Sequence, residues 1–435
     1  MLEKRELAVQ EQAMEVFNHL AASYNIVTIS RIRGILSEEL LTQAVDAIQS
    51  RHPLLNSRIV AKSNSFWFET GADKIPLSVV KKQRTEEWEE LVNEELNKKI
   101  NSNKNLLRVR LLRIEEEENI CYLITTIHHA IADACSCIQL HSEILTNCQK
   151  ITEGKAETNI IHLPQLPSIH KLLPNSLQGF TGEIRNILYL LWLQLRLFFY
   201  QPIHLGFEKS VPIESRSSGM VHRKIDSELT TTLVNLCRQQ KTTVHAALGA
   251  AMLFAIARKT NIYKIKKTCL SFLSYVNLRP RLQPQISNEN LGILASRILS
   301  FHHLNKYSNF WNLAREIKQK LEKGLAKGDD FTQLLASKTI TLSFVKNPYQ
   351  YDASASLSNI GRVNIPHQYG QFELEEISFV ASQGALAWVF CAAVSTFRGK
   401  MLLNFSFSLP SISKERVNYL ADDVISIIYD VCNQK

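Results

Sequence analysis

Apolar residues recur along the chain at two spacings, and the shift from one to the other predicts a mixed α/β protein. The first twenty residues carry Leu7, Met14, Phe17 and Leu20 at helical spacing. The next run, NIVTISRIRG (25–34), alternates approximately as a strand does. Ser37 then stands at an N-cap position, Leu40, Leu41, Ala44, Val45 and Ile48 share one helical face, and Arg51-His52-Pro53 ends the helix. Residues 56–70 and 106–127 are rich in strand formers, with a charged helix expected around Glu86–Lys99.

Between about 155 and 220 the pattern changes. Pro164, Pro167, Pro174, Pro202 and Pro212 bracket one apolar run, Ile187–Tyr200 (ILYLLWLQLRLFFY). Its 14 residues, with Gln194 and Arg196 inside, fall short of the ~20 a membrane span needs. It reads either as a helix covering the core, or as one that lines a path for a long acyl chain or makes a peripheral membrane or lipid contact. Further on, 242–258 is apolar nearly all round, as in a helix buried on most faces. Ile377–Phe397 is uncharged but broken by Ser382, Gln383 and Gly384, so it reads as two buried strands around a turn. The strand MLLNFSFS and a helix carrying Val417, Leu420, Val424, Ile425, Ile427 and Ile428 close the chain. The expected organisation is an N-terminal lobe (1–160), a connecting region with an apolar helix (161–220) and a C-terminal lobe (221–435).

Composition narrows the class without naming a function. Only 15 glycines and 12 prolines punctuate 435 residues, and 45% are hydrophobic, which excludes collagenous, low-complexity and mostly disordered chains. The excess of 50 Lys+Arg over 41 Asp+Glu, +9, favours anionic partners. The eight cysteines form no C-x-x-C pair, and the first residues lack the apolar core of a signal peptide, so a cytoplasmic protein with free thiols is expected.

Most chemical signatures are missing from the string: no G-x-S-x-G, no P-loop, no GxGxxG, no H-E-x-x-H and no nucleic-acid module. One constellation stands out, Ile120–Asp133 (ICYLITTIHHAIAD), in which an apolar strand runs into His128-His129 with Asp133 four residues on. Neighbouring strand residues point to opposite faces, so one histidine can face a cavity while the other is structural. Asp133 precedes an amphipathic run (Ala134, Cys137, Ile138, His141, Ile144, Leu145), so it can cap that helix or pair with a cation. The histidine facing the cavity suits a general base. A satisfied core histidine pair, or two of four metal ligands, are the alternatives. No second cluster has ligand spacing, so no metal is expected. His302-His303, followed by LNKY with no matching acid, reads as an ordinary pair.

HHxxxD resembles the active-site motif of the chloramphenicol acetyltransferase-like superfamily, which holds condensation domains and polyketide-associated, alcohol and plant acyltransferases. Other segments are similar in the same order: RHPLLNSRI (51–59), TTVHAALGAA (242–251), NLRPRL (277–282) with LGILAS (291–296), and LSNIG (357–361), which looks like the SNxG motif. The DFGWG string of the plant enzymes is absent, which favours the polyketide-associated or alcohol O-acyltransferase branch of secondary metabolism.

The resemblance implies two chloramphenicol acetyltransferase-like lobes, each a mixed sheet with flanking helices, and an active-site tunnel between them. It implies that His129 is the base, that His128 holds the loop, that Asp133 is structural and paired with Arg279, and that Asn359 and Ser358 contact the oxyanion or acceptor. No cofactor is bound; acyl-CoA, or acyl-phosphopantetheine on an acyl carrier protein, is co-substrate. Arg258, Lys259, Lys264, Lys266 and Lys267 could meet donor phosphates or an acidic carrier face, or form a solvated basic face. The expected product is an ester of a hydroxylated acceptor, made by a monomer that binds no nucleic acid. A condensation-type enzyme forming amides and a non-catalytic module binding a carrier protein remain the competing readings.

Overall fold

A computed structural model describes residues 4–433, apart from 21–23, 64, 156–160, 178, 261–267, 348–352 and 387–388. The chain divides into two compact units, each discontinuous in sequence. The first holds 1–172, 279–294 and 362–382; the second holds 173–278, 295–361 and 383–435. Two stretches from the expected 221–435 lobe therefore belong with the N-terminal residues.

The first unit is built on a six-stranded sheet in the order Gln368–Tyr369, Phe372–Ala381, Asn25–Arg33, Ile120–His128, Leu107–Ile114, Leu77–Lys82. Neighbours run antiparallel except the last two, which are parallel. Every residue of Ile120–His128 is buried, as a central strand covered on both faces requires. Ser37 caps the helix Glu38–Arg51, its side chain accepting from the Leu40 N–H at 3.1 Å.

Alternation along Ile120–His128 decides what meets each face. Thr125 Oγ1 lies 2.7 Å from His141 Nε2 on the helix Ala134–Thr152, while Thr126 Oγ1 donates to Glu95 Oε2 at 2.6 Å on the helix Glu87–Asn97. His128 shares the parity of Thr126 and points the same way.

The second unit has a six-stranded sheet in the order Ala295–Leu304, Thr268–Asn277, Ala355–Arg362, Phe390–Phe397, Lys400–Leu409, Ser217–Ile225. The helix Val244–Lys259 is buried at nearly every position from Ala246 to Ala257 and is the spine of this core. Gly249 admits close approach: a Cβ there would lie 2.6 Å from the Phe272 ring.

Phe372–Ala381 and Phe390–Phe397 are both strands, with a turn at 384–385 between them as expected, and they belong to different sheets. The uncharged runs Ile377–Ala381 and Phe390–Phe397 reflect sheets that are covered there, and that pattern carries no information about partners. The opening helix, Val9–Leu20, buries Glu11, Glu15 and Asn18 along with Ala13 and Phe17. Its inward face mixes polar and apolar groups: Glu11 pairs with Arg5 at 2.8 Å, and Glu15 faces His128 at the end of the histidine strand.

Candidate active site

The strand Ile120–His128 ends where its backbone leaves the sheet, and the two histidines diverge there. His128 is fully buried. Its Nδ1 accepts from the Ala130 N–H at 3.1 Å, which leaves the ring hydrogen on Nε2. Nε2 lies 2.9 Å from Glu15 Oε2, so the ring N–H faces that carboxylate. Glu15, itself buried, also accepts from Ser102 Oγ at 2.7 Å and lies 3.0 Å from His19 Nε2. Burial would raise its carboxyl, but the His128 ring, the Ser102 hydroxyl and His19 outweigh it and hold the carboxyl below its usual range.

His129 takes the opposite course. Its Nδ1 lies 3.0 Å from the Ala132 carbonyl, so Nδ1 is the donor and Nε2 keeps its lone pair. Its ring stacks on Tyr24 with centroids 5.7 Å apart, and Tyr24 stacks in turn on Phe17 at 4.9 Å. The His129 side chain is only part-buried, yet its surroundings are desolvating enough to push the imidazole below its ordinary value. A neutral ring with a bare Nε2 on a locked tautomer can accept a proton.

Asp133 fixes the turn between them and the next helix. Oδ1 accepts from the Ser136 N–H at 2.9 Å and so caps Ala134–Thr152. Oδ2 accepts from Arg279 Nη1 at 2.7 Å and from the Leu294 N–H at 3.0 Å. Arg279 Nη2 donates to Ser136 Oγ at 2.7 Å and to the Asn290 carbonyl at 3.3 Å. Burial alone would raise the Asp133 carboxyl, but the Arg279 charge and the three donors win and lower it. Arg279 and Leu294 lie in segments of the first unit, so this network closes within it.

The remaining residues singled out from the sequence lie elsewhere. Asn359, in the second unit, accepts the Gly361 N–H on its Oδ1 at 2.8 Å, a local turn bond beside a glycine at φ +70°. Ser358 is part-buried on the same strand. Arg258 pairs with Asp423 at 2.7 Å, and Lys259 sits 4.5 Å from the Tyr419 ring centroid, so the final helix already engages both cations. Lys264, Lys266 and Lys267 lie outside the described residues. His302 is buried between Ser300 and Glu316, at 2.8 and 3.2 Å. Among the described residues no group of three or more His, Cys, Asp or Glu could hold a metal ion.

Glu15 and Tyr24 were missed. The signal for Glu15 is weak but present: Glu11, Glu15 and Asn18 fall at i, i+4 and i+7, on one face of the opening helix.

Comparison with known proteins adds the following. The family profile described as phthiocerol/phthiodiolone dimycocerosyl transferase C-terminus matches residues 214–406. No curated protein sequence matches significantly. Among solved structures, polyketide synthase associated protein 5 from Mycobacterium tuberculosis is similar at 15% identity and a TM-score of 0.70, over 99% of this chain and 98% of that one. A trichothecene 15-O-acetyltransferase from Fusarium sporotrichioides gives 12% identity and 0.75, over 98% and 95%. The condensation domain of the monacolin K polyketide synthase gives 14% and 0.66, over 99% and 98%. At these identities the structural likenesses establish the fold. The chain therefore has the two-sheet α/β fold of these acyltransferase and condensation-domain structures, and the profile match covers its residues 214–406.

Proposed function

We propose that the protein is an O-acyltransferase that moves an acyl group from a thioester, acyl-CoA or an acylated carrier protein, to a hydroxyl of a natural-product or lipid-like acceptor. The observation that carries this reading is the His129 tautomer: Nδ1 is spent on the Ala132 carbonyl, so Nε2 is the proton acceptor. His129 Nε2 takes the hydroxyl proton as the oxygen attacks the thioester carbonyl. The tetrahedral oxyanion then collapses, the C–S bond breaks and the imidazolium returns the proton to the departing thiolate. No covalent enzyme intermediate is needed.

The rest of the first-unit network supports this chemistry by holding geometry. Ala132, whose carbonyl sets the His129 ring, directly precedes Asp133, and Asp133 is pinned by Arg279, Leu294 and Ser136. A base held this way pays little reorganisation when the acceptor arrives. The reading is tested by incubating the protein with acyl-CoA donors from acetyl to palmitoyl and a panel of alcohols and amines. Thiol release is followed with a chromogenic disulfide and products by intact mass. An ester product with matching thiol release is expected; amide products alone, or thiol release without any acylated acceptor, would overturn it.

A further inference from the structure

Within the helix Gly179–Tyr200, the run Ile187–Tyr200 is apolar around most of its circumference. Only one side is enclosed. Tyr189 and Leu193 are buried with Leu273, Leu299 and Phe301 in a core cluster of the second unit. Arg196, the single cation of the run Ile187–Tyr200, turns toward that side, its guanidinium 4.8 Å from the Phe301 ring centroid and 5.1 Å from that of Tyr200. On the other side Ile187, Leu188, Leu191, Leu195, Phe198 and Phe199 stand in solvent, the last two 68% and 75% exposed. At ~100° per residue these six positions span an arc of roughly 120° that contains no charged residue.

We propose that this face lies flat on an anionic lipid surface. An apolar face this broad exceeds the two-positions-per-heptad seam of a helix pair, and it matches a helix seated at the headgroup–acyl boundary. Trp192, 38% exposed at the edge of the arc, and the two phenylalanines supply the aromatic character such boundaries select.

Charge complementarity selects an anionic lipid. Arg185 donates to the Lys327 carbonyl, which brings the end of the helix Phe310–Lys327 beside the start of the apolar helix. Lys323 and Lys327 are exposed there. The helix Ser337–Lys346 exposes Leu342 and ends on the exposed Lys346. No helix among the described residues is long and apolar enough to cross a membrane, so the contact is peripheral. This inference is independent of the chemistry at His129.

Vesicle sedimentation tests it, with phosphatidylcholine alone and with phosphatidylcholine containing about one third phosphatidylglycerol. The protein is expected to partition at least ~10-fold more strongly onto the anionic vesicles. Leu191→Gln/Leu195→Gln should lose ~10-fold of that binding with an unchanged circular dichroism melt, and Lys323→Glu/Lys327→Glu should lose binding to the anionic vesicles only. Brominated acyl chains should quench the wild-type fluorescence but quench Trp192→Phe less, a readout that needs no destabilised variant. Wild type left in the supernatant, or equal binding by the leucine variant, would overturn the proposal. So would a concentration-dependent dimer in sedimentation velocity that the leucine substitutions abolish, because the face would then belong to a second copy of the chain.

Discussion

Arg279 Nη1 donates to Asp133 Oδ2 across 2.7 Å, and the carboxylate that receives it also caps the helix that follows the histidines. The two residues stand 146 positions apart in the chain and are both almost wholly buried. One carboxylate therefore ties the site's loop to a distant segment and to its own helix at once.

Removing the cation should cost more than the pair contributes net. Arg279→Met strands a buried carboxylate and is expected to destabilise the protein by about 3–5 kcal/mol, whereas the double change to Asp133→Asn/Arg279→Met should recover part of that loss. Urea midpoints of the three variants check this. Equal midpoints for Arg279→Met and wild type would show that the pair does not hold the fold.

Stability should fall on mild acidification because of His141. Its ring is buried between Ser30 Oγ at 2.8 Å and Thr125 Oγ1 at 2.7 Å, and burial pushes it down to about 3. The unfolded chain takes up a proton near the ordinary imidazole value of about 6.5 and the folded one does not, so stability is complete above that value. It is lost as pH falls from there toward the folded value, by up to about 1.4 kcal/mol per pH unit. Melting temperatures of wild type and His141→Gln from pH 7.5 to 4.5 test the point: the wild-type curve should be the steeper, and parallel curves would remove His141 as the cause.

Glu15 should act through His128. Glu15→Gln keeps the size but removes the charge 2.9 Å from His128 Nε2. We expect kcat to fall ~10- to 100-fold with KM within ~2-fold, since the loop carrying His129 loses its anchor and donor binding does not. A rise in KM at constant kcat would place Glu15 in substrate binding instead.

Packing at Gly249 gives a prediction free of the site. An added Cβ would meet Phe272 at 2.6 Å, with no slack in a helix buried on nearly every face. Gly249→Ala should cost about 1–3 kcal/mol in a denaturant titration. A neutral result would mean the Phe272 ring can shift at little cost.

Much of this was legible in the chain because the informative signals are local. Ser37 before a one-sided apolar run specifies a capped helix, and 242–258, apolar all round, specifies a buried one. The apolar run Ile120–Ile127 specifies a central strand, and the adjacent histidines must then diverge. What could not be read is whatever depends on partners. Ile377–Ala381 and Phe390–Phe397 are both uncharged, mostly buried runs yet join different sheets, because the pattern along a strand fixes what is covered and not which strand lies alongside. Nothing in the string pairs Glu15 with His128, 113 residues further on, and only the fold reveals that the two face each other. Arg258 and Lys259 read as free charge because Asp423 and Tyr419 lie some 165 and 160 residues further on. The same blindness applies to Ile187–Tyr200, whose apolar run does not say which face meets the core and which stands in solvent.

The most direct measurement is the pH dependence of thioester-dependent acyl transfer by wild type and His129→Ala, with circular dichroism showing both folded. Wild-type kcat/KM should be flat at neutral pH and fall only below the ordinary imidazole value, because burial holds His129 neutral down to lower pH. His129→Ala should lose ~100- to 10,000-fold in rate and, with it, the acid limb of the profile. A folded His129→Ala that retains wild-type turnover, or an unchanged acid limb in the variant, would contradict the assignment of His129 as the base.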